Sequence, residues 1–282
     1  MLARVPASSA NLGPGFDCLA VALTLYLEVT IEPADAFAIS SEGCGADLFD
    51  DDNNLGARIA GEVLGHSNFT MHVKSEIPLS RGLGSSAALA VAAAVAAGAR
   101  DPLAISTQVE GHAENAAASL LGGLVVARAH SRGGAVARPL ALDAEWRFVA
   151  VIPDEELPTI AARRVLPERV PFADAVHNLS AMGLLLAGLA DHDAFVDGSM
   201  DDYLHQPYRM GLLSFAEPLL ATLRESGAAG SCWSGAGSTM LGLATADKAE
   251  GVARAARTFL HDQGVAGIVH VLEADRTGLV TS

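Results

Sequence analysis

The stretch PLSRGLGSSAA, residues 78–88, sets Pro78, Gly82 and Gly84 ahead of two hydroxyls, Ser85 and Ser86, and runs directly into AALAVAAAVAAGA. A helix starting here presents unpaired N–H groups and the positive end of its dipole, which is a ready site for an anion. The glycines let the preceding amides converge on the same anion. Ser85 and Ser86 can reach phosphate oxygens or a Mg2+ bound to them. The loop lacks the GK[ST] signature and the lysine of a Walker loop. GLGSSA also fits the GxGxxA dinucleotide pattern, but some 80 residues in, with no βαβ unit and ribose-binding acid evident. The plain alternative is a strand-to-helix turn whose serines cap the helix.

Two further glycine loops offer polar groups. ANLGPGFD, residues 10–17, places Asn11 and Asp17 around Gly13 and Gly15, where the backbone can approach a ligand closely or form an Asx-type turn. SGAG, residues 234–237, lies between apolar runs and reads as a tight turn of a hairpin. Among charged residues, Glu110 in EGHAEN can supply the single carboxylate that Mg2+ takes alongside phosphate oxygens. His112 has no HExxH partner. Arg163, Arg164 and Arg209 are candidates to hold a carboxylate with a bidentate fork.

These residues need a scaffold. Residues 19–31, 69–77, 122–130, 146–153 and 267–274 read as strands; 85–99, 103–121, 173–190 and 208–225 read as helices. Residues 231–244 read as a strand broken by the glycine turn. Strands interleaved with helices predict a mixed α/β or α+β architecture. The chain of 282 residues admits one large domain or two, with the junction near residues 145–155.

Composition narrows the partners. Half of the residues are hydrophobic and 18% are charged, enough to bury a sizeable core, and the net charge of -15 opposes nucleic-acid binding. Cys18, Cys44 and Cys232 form no CxxC pair, so neither a disulfide framework nor a zinc site is expected. The N-terminus has no secretory pattern, and the apolar run 87–99 is too short to span a bilayer. The expectation is a cytoplasmic protein without membrane or nucleic-acid partners.

In this order, VPASSANLGPGFDCL, PLSRGLGSSAA, EGHAEN followed by LLGG, ARRVLP and SGAGSTML resemble the GHMP small-molecule kinases, and most of all the homoserine kinases among them. The resemblance runs from residue 4 to about 243. It implies an α+β GHMP kinase fold, with an N-terminal domain like domain 2 of ribosomal protein S5 (residues 1–148) and a ferredoxin-like C-terminal domain (residues 149–282). It implies ATP-dependent phosphorylation of the side-chain hydroxyl of L-homoserine, feeding threonine synthesis, and a possible homodimer. Carried over by motif, Ser85, Ser86 and Glu110 would hold Mg2+ and, with Arg163, serve catalysis. Pro78, Leu79, Ser80, Arg81, Gly82, Leu83, Gly84, Ser85, Ser86, Ala87 and Ala88 would cradle the ATP phosphates, and Asn54 would meet the adenosine moiety. Asn11, Asp17, His112, Asn115, Thr159, Arg163 and Arg209 would meet homoserine, Asp17 taking the ammonium and the arginines the carboxylate. No aspartate stands where mevalonate kinase has its general base, so direct attack by the positioned hydroxyl is implied, with Asp17 the lesser candidate for a base. The chain departs from the family pattern at Ala113–Glu114, Ser238 and Ala20. Competing readings are a GHMP kinase for another small alcohol, a catalytically silent nucleotide-binding member, and a dehydrogenase using GLGSSA.

Overall fold

A computed structural model describes residues 1–46, 53–131 and 133–282. The first layer is a seven-stranded sheet built from β1 (Leu2–Asn11), β2 (Gly15–Pro33), β3 (Ala38–Gly43), β4 (Phe69–Ser75), β5 (Leu124–Ala129), β6 (Ala135–Leu140) and, from the far end of the chain, a two-residue strand at Val280–Thr281. The nineteen residues of β2 organise it. They pair along β1, with β5 at Leu19–Val21, and with β4 at Leu27–Pro33. ANLGPGFD therefore contains the turn between two long strands.

Four helices cover this sheet: α1 (Leu55–Leu64), α2 (Ser85–Ala96), α3 (Pro102–Glu110) and α4 (Glu114–Leu121). Helix α2 is apolar all round and packs on β1, β2, α1, α3 and α4, with Ala88, Ala90, Val91, Ala92, Ala93 and Ala94 fully buried. Its alanines allow the close approach that larger side chains would prevent. The single helix expected over 103–121 is broken. Gly111 takes a left-handed conformation (φ 79°), and its N–H closes α3 on the Thr107 carbonyl. The break matters for function, because it turns the end of α3 and the start of α4 toward the same space.

The second layer is a four-stranded antiparallel sheet of β7 (Trp146–Pro153), β8 (Gly230–Trp233), β9 (Met240–Thr245) and β10 (Gly267–Leu272), in the order β10-β7-β9-β8. Between β7 and β8 lie α5 (Thr159–Arg164), α6 (Phe172–Ala190), the short α7 (Gln206–Arg209) and α8 (Ala216–Glu225), and α9 (Ala249–Gln263) links β9 to β10. With α8 and α9 packed on the sheet, this is a β-α-β-β-α-β ferredoxin-like arrangement. The last strand of the chain, β11 (Val280–Thr281), returns to pair with β1. The helix expected over 208–225 is interrupted at Leu213, whose extended backbone separates α7 and a 3-10 turn from α8.

Candidate active site

The three glycine loops meet where the two layers face each other. The Ser234 hydroxyl donates to the Gly82 carbonyl (2.6 Å) and lies 2.8 Å from Ser9 Oγ. Gly235 N–H donates to the Ala10 carbonyl, Thr239 N–H to the Arg81 carbonyl, and Ser8 N–H to the Leu83 carbonyl. Arg81 is spent on this scaffold: its Nε donates to the Pro153 carbonyl and its Nη1 to the Leu79 carbonyl. The glycine at position 84 is forced. Its φ is 70°, and a Cβ there would lie 2.2 Å from Ser8 Oγ. Asn11, Leu12, Asp17 and Ser80 are non-glycine residues held at positive φ, a strain tolerated where the surrounding contacts fix it.

Helix α2 opens on Gly84 in the left-handed conformation with no side-chain cap, so neither serine is an N-cap. The first-turn N–H groups are left to face a cleft of about 150 Å³. It is lined by Ser80, Gly82, Gly84, Ser85, Ser86 and Ala87 of the second loop and helix start, and by Asn11, Phe16, Asp17, Thr159, Arg163 and Arg209. Glu110, His112, Glu114 and Asn115 close it from the broken α3–α4 helix, and Gly235 and Ala236 from the third loop. A second, more apolar cleft of about 280 Å³ shares Ser80, Ser85 and Ser86 with the first. Leu27, Leu55, Val73, Leu79 and Leu89 line it together with Asn54.

The expected residues divide accordingly. Ser86 Oγ donates to Glu110 Oε1 at 2.5 Å, so the hydroxyl and carboxylate expected to share a cation stand together. Asn54 Oδ1 caps α1, accepting from Gly56 and Ala57 N–H (2.8 and 3.2 Å). Leu83 and Ala88 are buried in the core, and Pro78, Arg81, Leu83 and Ala88 line neither cleft; their part is to shape the loop. Arg164 is exposed to solvent.

Asp17 and Arg163 form a two-point ion pair, Nη1 to Oδ2 at 2.9 Å and Nη2 to Oδ1 at 2.7 Å. The pair raises the Arg163 pKa, the Asp17 hydrogen bond outweighing burial. Asn11 is committed to the loops, its Nδ2 donating to the Gly235 carbonyl and its Oδ1 accepting from Asp17 N–H. Arg209 is 2% exposed. Its Nε donates to the Ala162 carbonyl and its Nη1 to the Gly235 carbonyl and His205 Nδ1. Its Nη2 has no hydrogen-bond partner among the described residues. Burial and the nearby Arg163 lower its pKa to about 10, still a cation at neutral pH.

His112 sits between two carboxylates. Its Nδ1 is 2.9 Å from Glu114 Oε1, an ion-pair contact off the line of a hydrogen bond, and its Nε2 is 3.8 Å from Glu110 Oε2. Burial opposes the imidazolium, but Glu114 and Glu110 outweigh it and its pKa is raised. Asn115 Oδ1 accepts from Ser8 Oγ.

Phe16 was not legible as a site residue. Both guanidinium groups stand over its ring, at 5.6 Å for Arg163 and 5.5 Å for Arg209. The one available signal was an aromatic residue inside an otherwise polar motif.

Comparison with known proteins agrees with this architecture. Residues 54–123 match the model of the GHMP kinases N terminal domain and residues 175–262 that of the GHMP kinases C terminal domain. The chain is 36% identical to a homoserine kinase of Desulfitobacterium hafniense over 291 residues, 98% of this chain and 97% of that one. It is 37% identical to a homoserine kinase of Picosynechococcus over 300 residues, 98% and 97% of the two chains. The crystal structure of a homoserine kinase from Cytophaga hutchinsonii superposes with a TM-score of 0.86 at 26% identity, covering 99% of this chain and 96% of that one. By family match and by near full-length identity, the chain belongs to the homoserine kinases of the GHMP kinase superfamily.

Proposed function

We propose that the chain transfers the γ-phosphoryl group of ATP to the side-chain hydroxyl of L-homoserine, giving O-phospho-L-homoserine, and that the residues act as follows. The observation that carries this reading is the placement of one carboxylate and two guanidinium groups, Asp17, Arg163 and Arg209, in one cleft with an uncapped helix start. A zwitterionic amino acid complements that charge set, whereas a sugar or mevalonate has no ammonium for Asp17. In the free protein Asp17 and Arg163 neutralise each other; the substrate ammonium and carboxylate exchange for that internal pair. A molecule with one charge would leave the other member unpaired at a half-buried site, which is the basis of discrimination.

The adenosine moiety fits the second, apolar cleft beside Asn54, with the phosphates running over Ser80–Ala87 toward the first. The Ser86–Glu110 couple fits Mg2+, which binds through one or two carboxylates plus phosphate oxygens, and Ser85 lies within the same turn. Bound there, the ion would neutralise charge on the transferring phosphoryl group. The chain's own contribution is position. The amides of α2 hold the γ-phosphate while Arg163 and Arg209 fix the acceptor by its carboxylate, and Asn115, His112 and Thr159 shape the space around it. The acceptor oxygen bonds to phosphorus as the bond to ADP breaks, and the hydroxyl proton leaves by way of a phosphoryl oxygen. No side chain is needed as base: Asp17 pairs with Arg163 in the free protein and with the substrate ammonium in the complex, and Glu114 Oε2 is buried without accessible surface. Placement alone supplies about 7–11 kcal/mol of such a barrier.

ADP release with MgATP and a panel of L-homoserine, L-serine, L-threonine, mevalonate, shikimate and galactose tests the reading. Turnover is expected with L-homoserine above all others. Equal or greater turnover with mevalonate or galactose, or none with any acceptor, overturns it.

Two domains remain the proposal, but the chain crosses from the first sheet to the second between Leu140 and Trp146, so a boundary at 148/149 falls inside β7, and β11 returns to the first sheet. Free Cys18, Cys44 and Cys232 support a reducing, cytoplasmic setting. Helix α6 is apolar along nineteen residues and exposes Phe172 (85%), Val176, Leu179 (75%) and Leu184. The spacing of Phe172, Val176 and Leu179 marks one helix face, and Asp174 is the sole acidic or basic residue of α6 apart from His177. A second copy of the chain can meet this face without opposing charges, despite the net -15. Leu179→Glu is expected to convert a dimer into a monomer by light scattering; a monomeric wild-type protein removes the interface.

A further inference from the structure

The residue that sets the Arg209 guanidinium in place lies outside the cleft lining. His205 precedes α7, has no exposed surface, and joins three parts of the site at once. Its Nε2 is 2.9 Å from the Gly13 carbonyl, its Nδ1 is 3.1 Å from Arg209 Nη1, and its ring stacks on Phe16 with centroids 5.0 Å apart. An arginine nitrogen only donates, so His205 Nδ1 must be the acceptor; a carbonyl only accepts, so Nε2 must carry the proton. The two contacts together select one neutral tautomer. Burial, which lowers the His205 pKa to about 4, keeps the ring neutral at physiological pH.

The ring is itself held. Asp202, 7% exposed, accepts from the N–H groups of Leu204, His205 and Gln206 and fixes the turn that begins α7. Gln206 Oε1 accepts from Trp233 N–H and ties α7 to β8. On the other side, Gly13 cannot yield: a Cβ there would lie 2.4 Å from the Met200 carbonyl. His205 thus spans from the loop that carries Asp17 to the helix that carries Arg209.

We infer that His205 is a positioning residue for the acceptor site: through its Nε2-protonated tautomer it anchors to Gly13 and presents Nδ1 to Arg209, so that the free Nη2 edge of the guanidinium faces the acceptor carboxylate in register with Asp17. This rests on the proposed role of Arg209 in holding that carboxylate. Arg209 has four rotatable side-chain bonds, and the Ala162 and Gly235 carbonyls fix its Nε and Nη1; the ring acceptor is the third point that sets the plane of the fork.

Two amide replacements separate the two nitrogens. His205→Asn can place an acceptor near the former Nδ1, and His205→Gln can place a donor near the former Nε2. Both lose the stacking on Phe16, so both are expected to be destabilised alike. His205→Gln is expected to raise the L-homoserine KM by roughly tenfold, while His205→Asn raises it less than about threefold and the ATP KM moves less than about twofold in either. Equal homoserine KM values, a worse His205→Asn, or an ATP KM rising in parallel overturn the assignment, the last pointing to a merely structural role. The wild-type protein supplies a check that needs no variant: 15N chemical shifts of the His205 ring must show Nε2 protonated and Nδ1 bare, and a protonated Nδ1 overturns it. Arg209→Ala distinguishes the two levels. If Arg209→Ala leaves the homoserine KM unchanged, the carboxylate role of Arg209 fails; if it raises that KM while His205→Gln does not, the role of His205 alone fails.

Discussion

Glu110→Gln is expected to lower kcat with saturating ATP and L-homoserine by about 10²- to 10³-fold, the range typical of removing one well-placed electrostatic group from a transition state. The substitution keeps the shape of the side chain and its contact with Ser86 Oγ, and removes only the charge. Because the Glu110 side chain is 15% exposed, little solvent is at hand to take over that charge. The half-saturating Mg2+ concentration should rise in the same variant, since a neutral amide oxygen binds a hard cation more weakly than a carboxylate. Glu110 ends α3 and carries no helix cap or core contact of its own, so the thermal midpoint should stay near that of the wild type. Steady-state rates at a series of Mg2+ concentrations check both effects. Wild-type kcat and Mg2+ dependence in this variant would remove Glu110 from the metal site.

Arg209→Ala is expected to cut kcat/KM for L-homoserine at least about a hundredfold, chiefly through KM, with the ATP KM little changed. Losing one partner of a buried charged contact costs about 2–5 kcal/mol, and about 1.4 kcal/mol is a factor of ten. The substrate carboxylate loses its buried guanidinium, while the Asp17–Arg163 pair stays as it is. The truncation also leaves His205 Nδ1 and the Ala162 carbonyl without their donor, so a lower melting temperature should accompany the kinetic effect. Arg209→Lys separates the two, because it preserves charge while losing the fork. An unchanged homoserine KM in both variants would take Arg209 out of the carboxylate clamp.

What was legible in the sequence was local. The phosphate loop could be read because glycines, hydroxyls and a helix start lie within eleven residues, and α2 begins at Ser85 as its composition requires. The reason for Gly84 was not local: the atom that excludes a side chain is Ser8 Oγ, on another strand. Asp17 and Arg163 were each recognisable by residue type, yet their mutual pairing across 146 positions could not be read from spacing. The break at Gly111 was hidden because alanines on its C-terminal side carry the helical pattern onward. Helix α9 went unread although Val252, Ala253, Ala256 and Leu260 repeat with helical spacing and Gly264 closes it; its signal was present and weak in apolar bulk. His205 stood in plain view beside Arg209, but nothing in HQPYR indicates that its ring reaches back to Gly13, 192 positions earlier.

The most direct test compares ADP release with MgATP and three acceptors of one chain length: L-homoserine, 3-aminopropan-1-ol, which lacks the carboxylate, and 4-hydroxybutanoate, which lacks the ammonium. All three offer the same primary hydroxyl, so only the charges differ. The exchange of a zwitterion for the Asp17–Arg163 pair predicts turnover with L-homoserine and rates with the other two no higher than without acceptor. Turnover of either single-charge analogue within tenfold of L-homoserine would contradict it, and would mean that the cleft recognises an alcohol rather than an amino acid.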